Sequence, residues 1–236
     1  MKQRFDNQRA YLLHTYPYSE TSLIADVFSR EHGRIPMLAK GARRPRSALR
    51  GVLIGFQPLE LGWFGGGDVK TLAKAEWVGG VPLLRGRCLL LGYYLNELLI
   101  RLLPREDAHA ILFDAYEEAL ATLAAGTADA PELRRFEKAL LREIGYGLTL
   151  DKDVRGQAIR PEAHYLFYPE RGPIEATADE SAPTLAGKTL LDLAADDYRD
   201  PRTLAESKGL MRQLMAHHLN GQTLQSRRVF IELQEF

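Results

Sequence analysis

Apolar residues between positions 8 and 77 come in short runs, each broken by residues that favour turns. The runs Arg9 to His14, Ser22 to Phe28, Arg34 to Lys40, Phe56 to Phe64 and Val69 to Trp77 predict five strands. Ser19-Glu20, Glu31-His32-Gly33 and Gly65-Gly66-Gly67 fall between them, and glycine-containing runs of this kind mark tight hairpins. Five short strands with no long amphipathic helix among them predict a small antiparallel barrel. The OB-fold is a five-stranded barrel used to bind oligonucleotides. Periodicity alone does not separate it from an SH3-like barrel.

At Val81 the pattern changes to helical. Arg87 to Leu103 is apolar and ends at Pro104; Asp107 to Ala125 stops at Gly126; Pro131 opens a third helix to Ile144, with Gly145 and Gly147 behind it. Leu133, Phe136, Leu140 and Ile144 form the buried stripe of that third helix. Residues 151–185 are rich in Pro, Gly and charge, with one strand-like run, His164 to Tyr168. Leu190 to Ala195 and Leu204 to Leu219 predict two more helices, and a tail from Gly221 carries Ser226-Arg227-Arg228. The expected architecture is α+β and multi-domain: a five-stranded barrel over 1–80, a helical domain over 81–150, a small variable insertion over 151–185, and C-terminal helices over 186–236 packing on the helical domain.

Composition changes this picture little. The chain has 236 residues, 45% hydrophobic and 26% charged, enough for a real core. Net charge is zero, so it predicts no partner; its distribution does. Residues 1–80 hold 12 Lys+Arg against 7 Asp+Glu, whereas the rest is mildly acidic, which points to a local patch for an acidic partner. The single cysteine, Cys88, lies in an apolar run and reads as a buried structural thiol. The polar N-terminus and the lack of a long apolar stretch predict a soluble, cytoplasmic protein.

The strongest local feature is Lys40-Gly-Ala-Arg43-Arg44-Pro-Arg46-Ser-Ala-Leu-Arg50, five positive charges with no acid among them. Gly41 and Pro45 make it a loop. Such a loop beside a barrel can follow a phosphate backbone; it can equally be an unliganded solvated loop. Of the aromatic residues in the barrel stretch most belong in the core, but Tyr16 and Tyr18 flank Pro17 and are the candidates for exposed stacking platforms. Further on, Arg134, Lys138 and Arg142 recur at i, i+4, i+8 with Arg135 beside them. That ridge suits an acidic peptide, although Glu137 and Glu143 are interleaved and an ordinary salt-bridged surface is the simpler reading of the spacing.

Catalytic patterns fail on inspection. Ala186-Gly187-Lys188-Thr189 lacks the earlier glycine of a phosphate-binding loop, where Ala182 stands. The six histidines are scattered, and the adjacent pair His217-His218 is expected on different helix faces, against a shared metal. No catalytic residues, cofactor or metal site are expected.

Several blocks together resemble the RecO family of bacterial recombination mediators: Tyr18-Ser-Glu20-Thr-Ser22-Leu-Ile-Ala-Asp26-Val-Phe28, Glu31-His-Gly33-Arg34, Ala39-Lys40-Gly41-Ala42-Arg43, Val69-Lys70-Thr71-Leu72, Tyr94-Leu-Asn96-Glu97, Leu133-Arg134-Arg135-Phe136-Glu137, Gly145-Tyr146-Gly147 and Gly221-Gln-Thr-Leu224-Gln-Ser226-Arg227. The resemblance implies an N-terminal OB-fold, a helical body and a non-enzymatic activity. That activity is binding single- and double-stranded DNA, annealing strands, and helping RecA load onto gaps coated by the single-stranded DNA-binding protein SSB. It implies RecR and the acidic SSB tail as partners; a monomer that joins the nucleoid during repair is also expected. Arg34, Lys40, Arg43, Arg44, Arg46, Arg50 and Lys70 are then expected to contact DNA, and Arg134, Arg135, Lys138 and Arg142 the SSB tail. Many members carry a four-cysteine zinc module in the middle segment; 151–185 has no cysteine, so no zinc is expected there. The competing expectation is a protein-interaction adaptor whose basic loop meets an acidic protein or RNA.

Overall fold

Fourteen residues of extended chain form β1 (Arg4–Pro17), followed by β2 (Leu23–Ser29), β3 (Gly33–Ala39), a single helical turn α1 (Leu49–Val52), β4 (Pro58–Phe64) and β5 (Lys70–Trp77). The structure is a computed structural model that describes residues 3–126, 130–177 and 183–232. The five strands close into a barrel in the order β1-β2-β3-β5-β4. β1 is long enough to serve two neighbours: its first half pairs with β4 and its second with β2, so it closes the ring. The β1–β4 register slips between Phe5 and Gln8, where Asn7 adopts φ 56°, a conformation Asn tolerates better than most residues. One seam departs from the expected antiparallel barrel: β3 and β5 run parallel through Met37–Lys70 and Leu38–Thr71. This connectivity is that of an OB-fold.

The barrel interior is filled by Leu12, Val27, Ile35, Met37, Leu59, Leu61 and Trp63. Its outside carries a second apolar layer. Tyr11 and Phe28 pack on Phe113 and Tyr116 at ring separations of 5.3–6.2 Å. Those two aromatics sit on α3 (Ala110–Ala124), which follows α2 (Gly86–Leu102). Asn96 of α2 donates to the Leu13 carbonyl at 2.8 Å and accepts from the Tyr116 hydroxyl at 2.5 Å. Burial raises the Tyr116 phenol well above its ordinary range, so it stays a donor. At the β2–β3 turn, Gly33 (φ +65°) is required: a Cβ there would fall 1.8 Å from the Asp107 carbonyl oxygen. The chain closes on α2 with α7 (Gln225–Glu232), whose first amides, Gln225 and Ser226, donate to the Glu97 carboxylate at 2.8 and 2.9 Å. Burial alone would raise Glu97, but these bonds and Arg101 hold its acid group below the usual range.

The chain therefore divides into two compact units, Met1–Ala128 with Leu224–Phe236, and Asp129–Thr223. Helices α2 and α3 fall in the same unit as the barrel because they pack on its wall, and α7 joins that unit by packing on α2. The second unit holds α4 (Ala130–Glu143), a three-stranded sheet β7-β6-β8 (β6 His164–Tyr168, β7 Gly172–Glu175, β8 Leu185–Ala186), α5 (Gly187–Ala194) and α6 (Pro201–His218). Phe136, Leu140 and Leu141 of α4 are buried with Leu190, Leu193, Leu210 and Leu214. In the middle segment Tyr165, Leu166 and Phe167 are buried, and the Tyr165 hydroxyl accepts from the Arg160 amide at 2.9 Å.

Candidate nucleic-acid interface

After β3 the chain leaves the barrel through a string of tight turns, with amides of Arg44, Ser47, Arg50 and Gly51 bonded three residues back. Gly41 (φ +70°) opens it. Two anchors hold the loop to the β1–β2 connection: the Arg43 amide donates to Thr21 O at 2.9 Å, and the Arg43 guanidinium to Ser19 O at 2.5 Å. Tyr18, next to Ser19, is 62% exposed, so an aromatic face and a guanidinium share one end of the barrel. Behind them lies a cleft of about 320 Å³ lined by Thr15, Leu23, Ala42, Leu49 and Leu53, with Arg43 and Arg50 on its walls.

The charges of the barrel stretch fall into two groups. Arg4 pairs with Asp6, Arg9 with Glu117, Arg30 with Asp114 and Glu31, and Lys74 with Glu76. Two expected DNA contacts belong to this paired group. Arg34 is 12% exposed, bonded to Asp26 (2% exposed) at 2.9 Å and to the carbonyls of Ile100 and Leu103 at the end of α2. Lys70 is buried against Glu106 at 2.8 Å and Gly67 O at 2.9 Å. Both are held inside because an acid or a row of helix-terminal carbonyls faces them. By contrast Lys40, Arg43, Arg44, Arg46 and Arg50 are exposed, and none has an acidic partner among the described residues.

Tyr11, Phe28, Phe56 and Trp63 are buried, half of the aromatics between positions 8 and 77 where most are expected in the core, and Tyr16, Tyr18 and Trp77 are exposed. Tyr16 is exposed but lies on β1 rather than in a turn, because β1 runs on to Pro17. Trp77, 58% exposed, escapes sequence reasoning. Alternation with Ala75 would turn it inward, but it stands at the last rung of β5, opposite Leu59, where the wall ends.

The ridge expected on α4 is mostly closed. Arg134 is buried and bonded to Glu137 at 2.9 Å, with no acceptor for its Nε–H among the described residues. Lys138 is tied to Leu193 O and Asp196. Arg135 bonds Glu132 at 3.0 Å and lies over the Tyr198 ring, and Arg142 projects to solvent with Glu143 at 3.8 Å.

Two family models divide this chain between them: the N-terminal model of recombination protein O matches residues 1–81 and the C-terminal one residues 86–228. The chain is 56% identical over 239 residues to the DNA repair protein RecO of Dechloromonas aromatica, covering 100% of this chain and 99% of that one. The DNA repair protein RecO of Aromatoleum aromaticum is 56% identical over 236 residues, covering 99% and 98%. This chain belongs to the RecO family of DNA repair proteins. It is a relative by its whole length and not by the barrel alone.

For a RecO-family chain the middle segment raises the question of a metal. Among the described residues, the group able to offer three ligand atoms is Glu170, His217 and His218, within 4.8 Å of one another. The expectation that the two histidines diverge is corrected here: they stand at the last turn of α6, with rings 5.2 Å apart. His217 Nε2 lies 3.1 Å from Glu170, and His218 stacks on Tyr146 at 4.2 Å. Burial, then the neighbouring His217, lowers the His218 pKa. The phosphate-loop look-alike is structural: a Cβ on Gly187 would meet Arg160 O at 1.9 Å, Lys188 pairs with Asp192 and Asp200, and Thr189 donates to Glu206 at 2.6 Å.

Proposed function

We propose that this RecO-family protein is a recombination mediator that binds single-stranded DNA at the end of the barrel made by the loop Lys40–Arg50 and the β1–β2 connection. One observation carries the reading: in the barrel stretch the loop's five cations are the ones with no acidic partner among the described residues. A cation not already neutralised gains most from a phosphate, since each contact releases condensed counterions. Exposed Tyr18, next to the Ser19 carbonyl that Arg43 bonds, supplies a face for a base, and a cleft walled by Arg43 and Arg50 lies behind. The proposed DNA set is Lys40, Arg43, Arg44, Arg46 and Arg50; Arg34 and Lys70 shape the barrel instead.

Neutralised phosphates let complementary strands approach, so annealing needs no nucleotide hydrolysis and no covalent step. Duplex DNA meets the same charges without the stacking term. In this reading the first unit handles DNA and the second docks on the acidic C-terminal tail of SSB, with RecR as a further partner in loading RecA onto SSB-coated gaps. Arg135 and Arg142 meet the tail first, and the Nε–H of Arg134 is the donor that a carboxylate of the tail takes up. Lys138 keeps Asp196 and contributes only field.

The test is annealing of complementary labelled strands, naked and SSB-coated, without ATP. The wild type should anneal both, the variant Arg43→Ala/Arg44→Ala/Arg46→Ala neither, and Arg134→Ala the naked strands only. Annealing that requires ATP, or a loop variant as active as wild type, sinks the reading.

A further inference from the structure

The first unit carries a second surface with the same chemistry as the loop, on α2 and α7. No acid occurs between Glu31 and Glu60, which brackets the basic loop, and none occurs between Glu76 and Glu97, a stretch holding Trp77, Arg85, Arg87 and Tyr93. Arg85 and Arg87 are exposed at the start of α2, and Arg227 and Arg228 are exposed on α7. None of the four has an acidic partner among the described residues; Arg87 lies 6.0 Å over Phe230 and Arg228 bonds Gln225. The nearby Glu97 is committed to the amides of α7 and to Arg101.

A chain of side-chain contacts joins this surface to the barrel. The loop runs through Leu53, in the cleft wall, to Phe56 and Gln57. Gln57 accepts from Trp77 Nε1 at 3.2 Å, and Phe56 packs edge-on to Tyr93 at 5.1 Å. A Cβ on Gly92 would strike Leu84 at 2.6 Å and Phe56 at 2.9 Å, so Leu84, next to Arg85, lies on the same ring. Phe56 itself sits at φ 64°, a left-handed conformation unusual for an aromatic and held by this packing. Trp77 and Tyr93 are both at least half exposed above it.

Building on the reading above, we propose that the single strand leaves the loop, stacks across Trp77 and Tyr93, and ends on Arg85, Arg87, Arg227 and Arg228. Open cations with interleaved, exposed aromatics are what an unpaired strand requires and what a folded acidic protein does not. The α2–α7 pair is therefore half of the DNA path, and only strands long enough to leave the barrel use it.

The test measures binding of a short and a long oligothymidylate over a range of salt. Replacing Arg85, Arg87, Arg227 and Arg228 together by Ala should leave the short strand unaffected. It should weaken the long one tenfold or more at low salt, with its salt slope reduced by roughly 3, at about 0.7 per phosphate contact. Intrinsic fluorescence adds a readout: Trp63 is buried, so quenching by the long strand reports Trp77 and should vanish in Trp77→Phe. If the fourfold variant keeps the long-strand slope while the loop variant loses both strands, the path stops at the barrel and this inference fails alone. If the loop variant binds both strands normally, the barrel reading fails and the path with it.

Discussion

The loop 40–50 and the helix α4 are both basic stretches, yet the fold treats them in opposite ways. In the loop, five cations face no acid among the described residues and stand in solvent. On α4, Glu132 and Glu137 lie one turn from Arg135 and Arg134 and take them up at 3.0 and 2.9 Å, while Asp196 takes Lys138. The difference is acid spacing. A helix brings i and i+3 together, so interleaved acids close on their neighbours; a turn-rich loop with no acid has nothing to close on. Basic residues become a surface for an anion when the fold gives them no other, and Arg34 and Lys70, expected at the interface, are instead bonded to Asp26 and Glu106.

The sharpest way to break this contrast is at Arg34. Arg34→Ala leaves Asp26 buried without its counter-charge, and losing one partner of a buried pair costs about 3–5 kcal/mol. Thermal unfolding should fall by roughly 10 °C, while folded protein should keep the wild-type salt slope for DNA. A reduced slope with unchanged stability would put Arg34 back among the phosphate contacts.

The mirror experiment is Arg43→Ala/Arg44→Ala/Arg46→Ala. None of the three has an acidic partner among the described residues, so apart from the lost Arg43–Ser19 bond stability should move by no more than about 0.5 kcal/mol per site. The slope of log affinity against log salt for single strands should drop by about 2. Unfolding of the variant without any change in that slope would place the loop with the frame.

Sequence alone makes the contrast only half visible. The strands, helices and loop are legible because apolar periodicity and glycine punctuation are local signals. Which cations are neutralised is not local: Arg9 meets Glu117, Arg30 meets Asp114 and Lys70 meets Glu106, partners far along the chain. The packing of α3 on the barrel is hidden for the same reason, since Phe113 and Tyr116 give no sign along the chain that Tyr11 and Phe28 await them. Trp77 is hidden because alternation carries no record of where a barrel wall ends.

A smaller effect separates the two exposed aromatics at the loop's end. Tyr18 is exposed next to the Ser19 carbonyl that Arg43 bonds, so Tyr18→Ala should weaken single-strand binding by about 1–3 kcal/mol, the value of one stacked base, and leave duplex binding alone. Tyr16 is engaged edge-on by His14 at 4.6 Å, and its replacement should matter less. Competition between single-stranded and duplex oligonucleotides reads both variants; equal losses on the two substrates would mean that Tyr18 holds the loop rather than a base.

The smallest effect tests the closed side of the comparison. Arg135 is half exposed, paired with Glu132 and lying over Tyr198, so Arg135→Ala should change stability by no more than about 1 kcal/mol. Arg134→Ala removes a buried partner of Glu137 and should cost more. If an acidic peptide ending in an apolar residue docks on α4, both variants should weaken it, measured by fluorescence anisotropy, although only one is destabilised. Parallel loss of stability and binding in Arg134→Ala with no binding change in Arg135→Ala would make α4 a structural helix, and its charges would then be what their spacing first implied, a salt-bridged face.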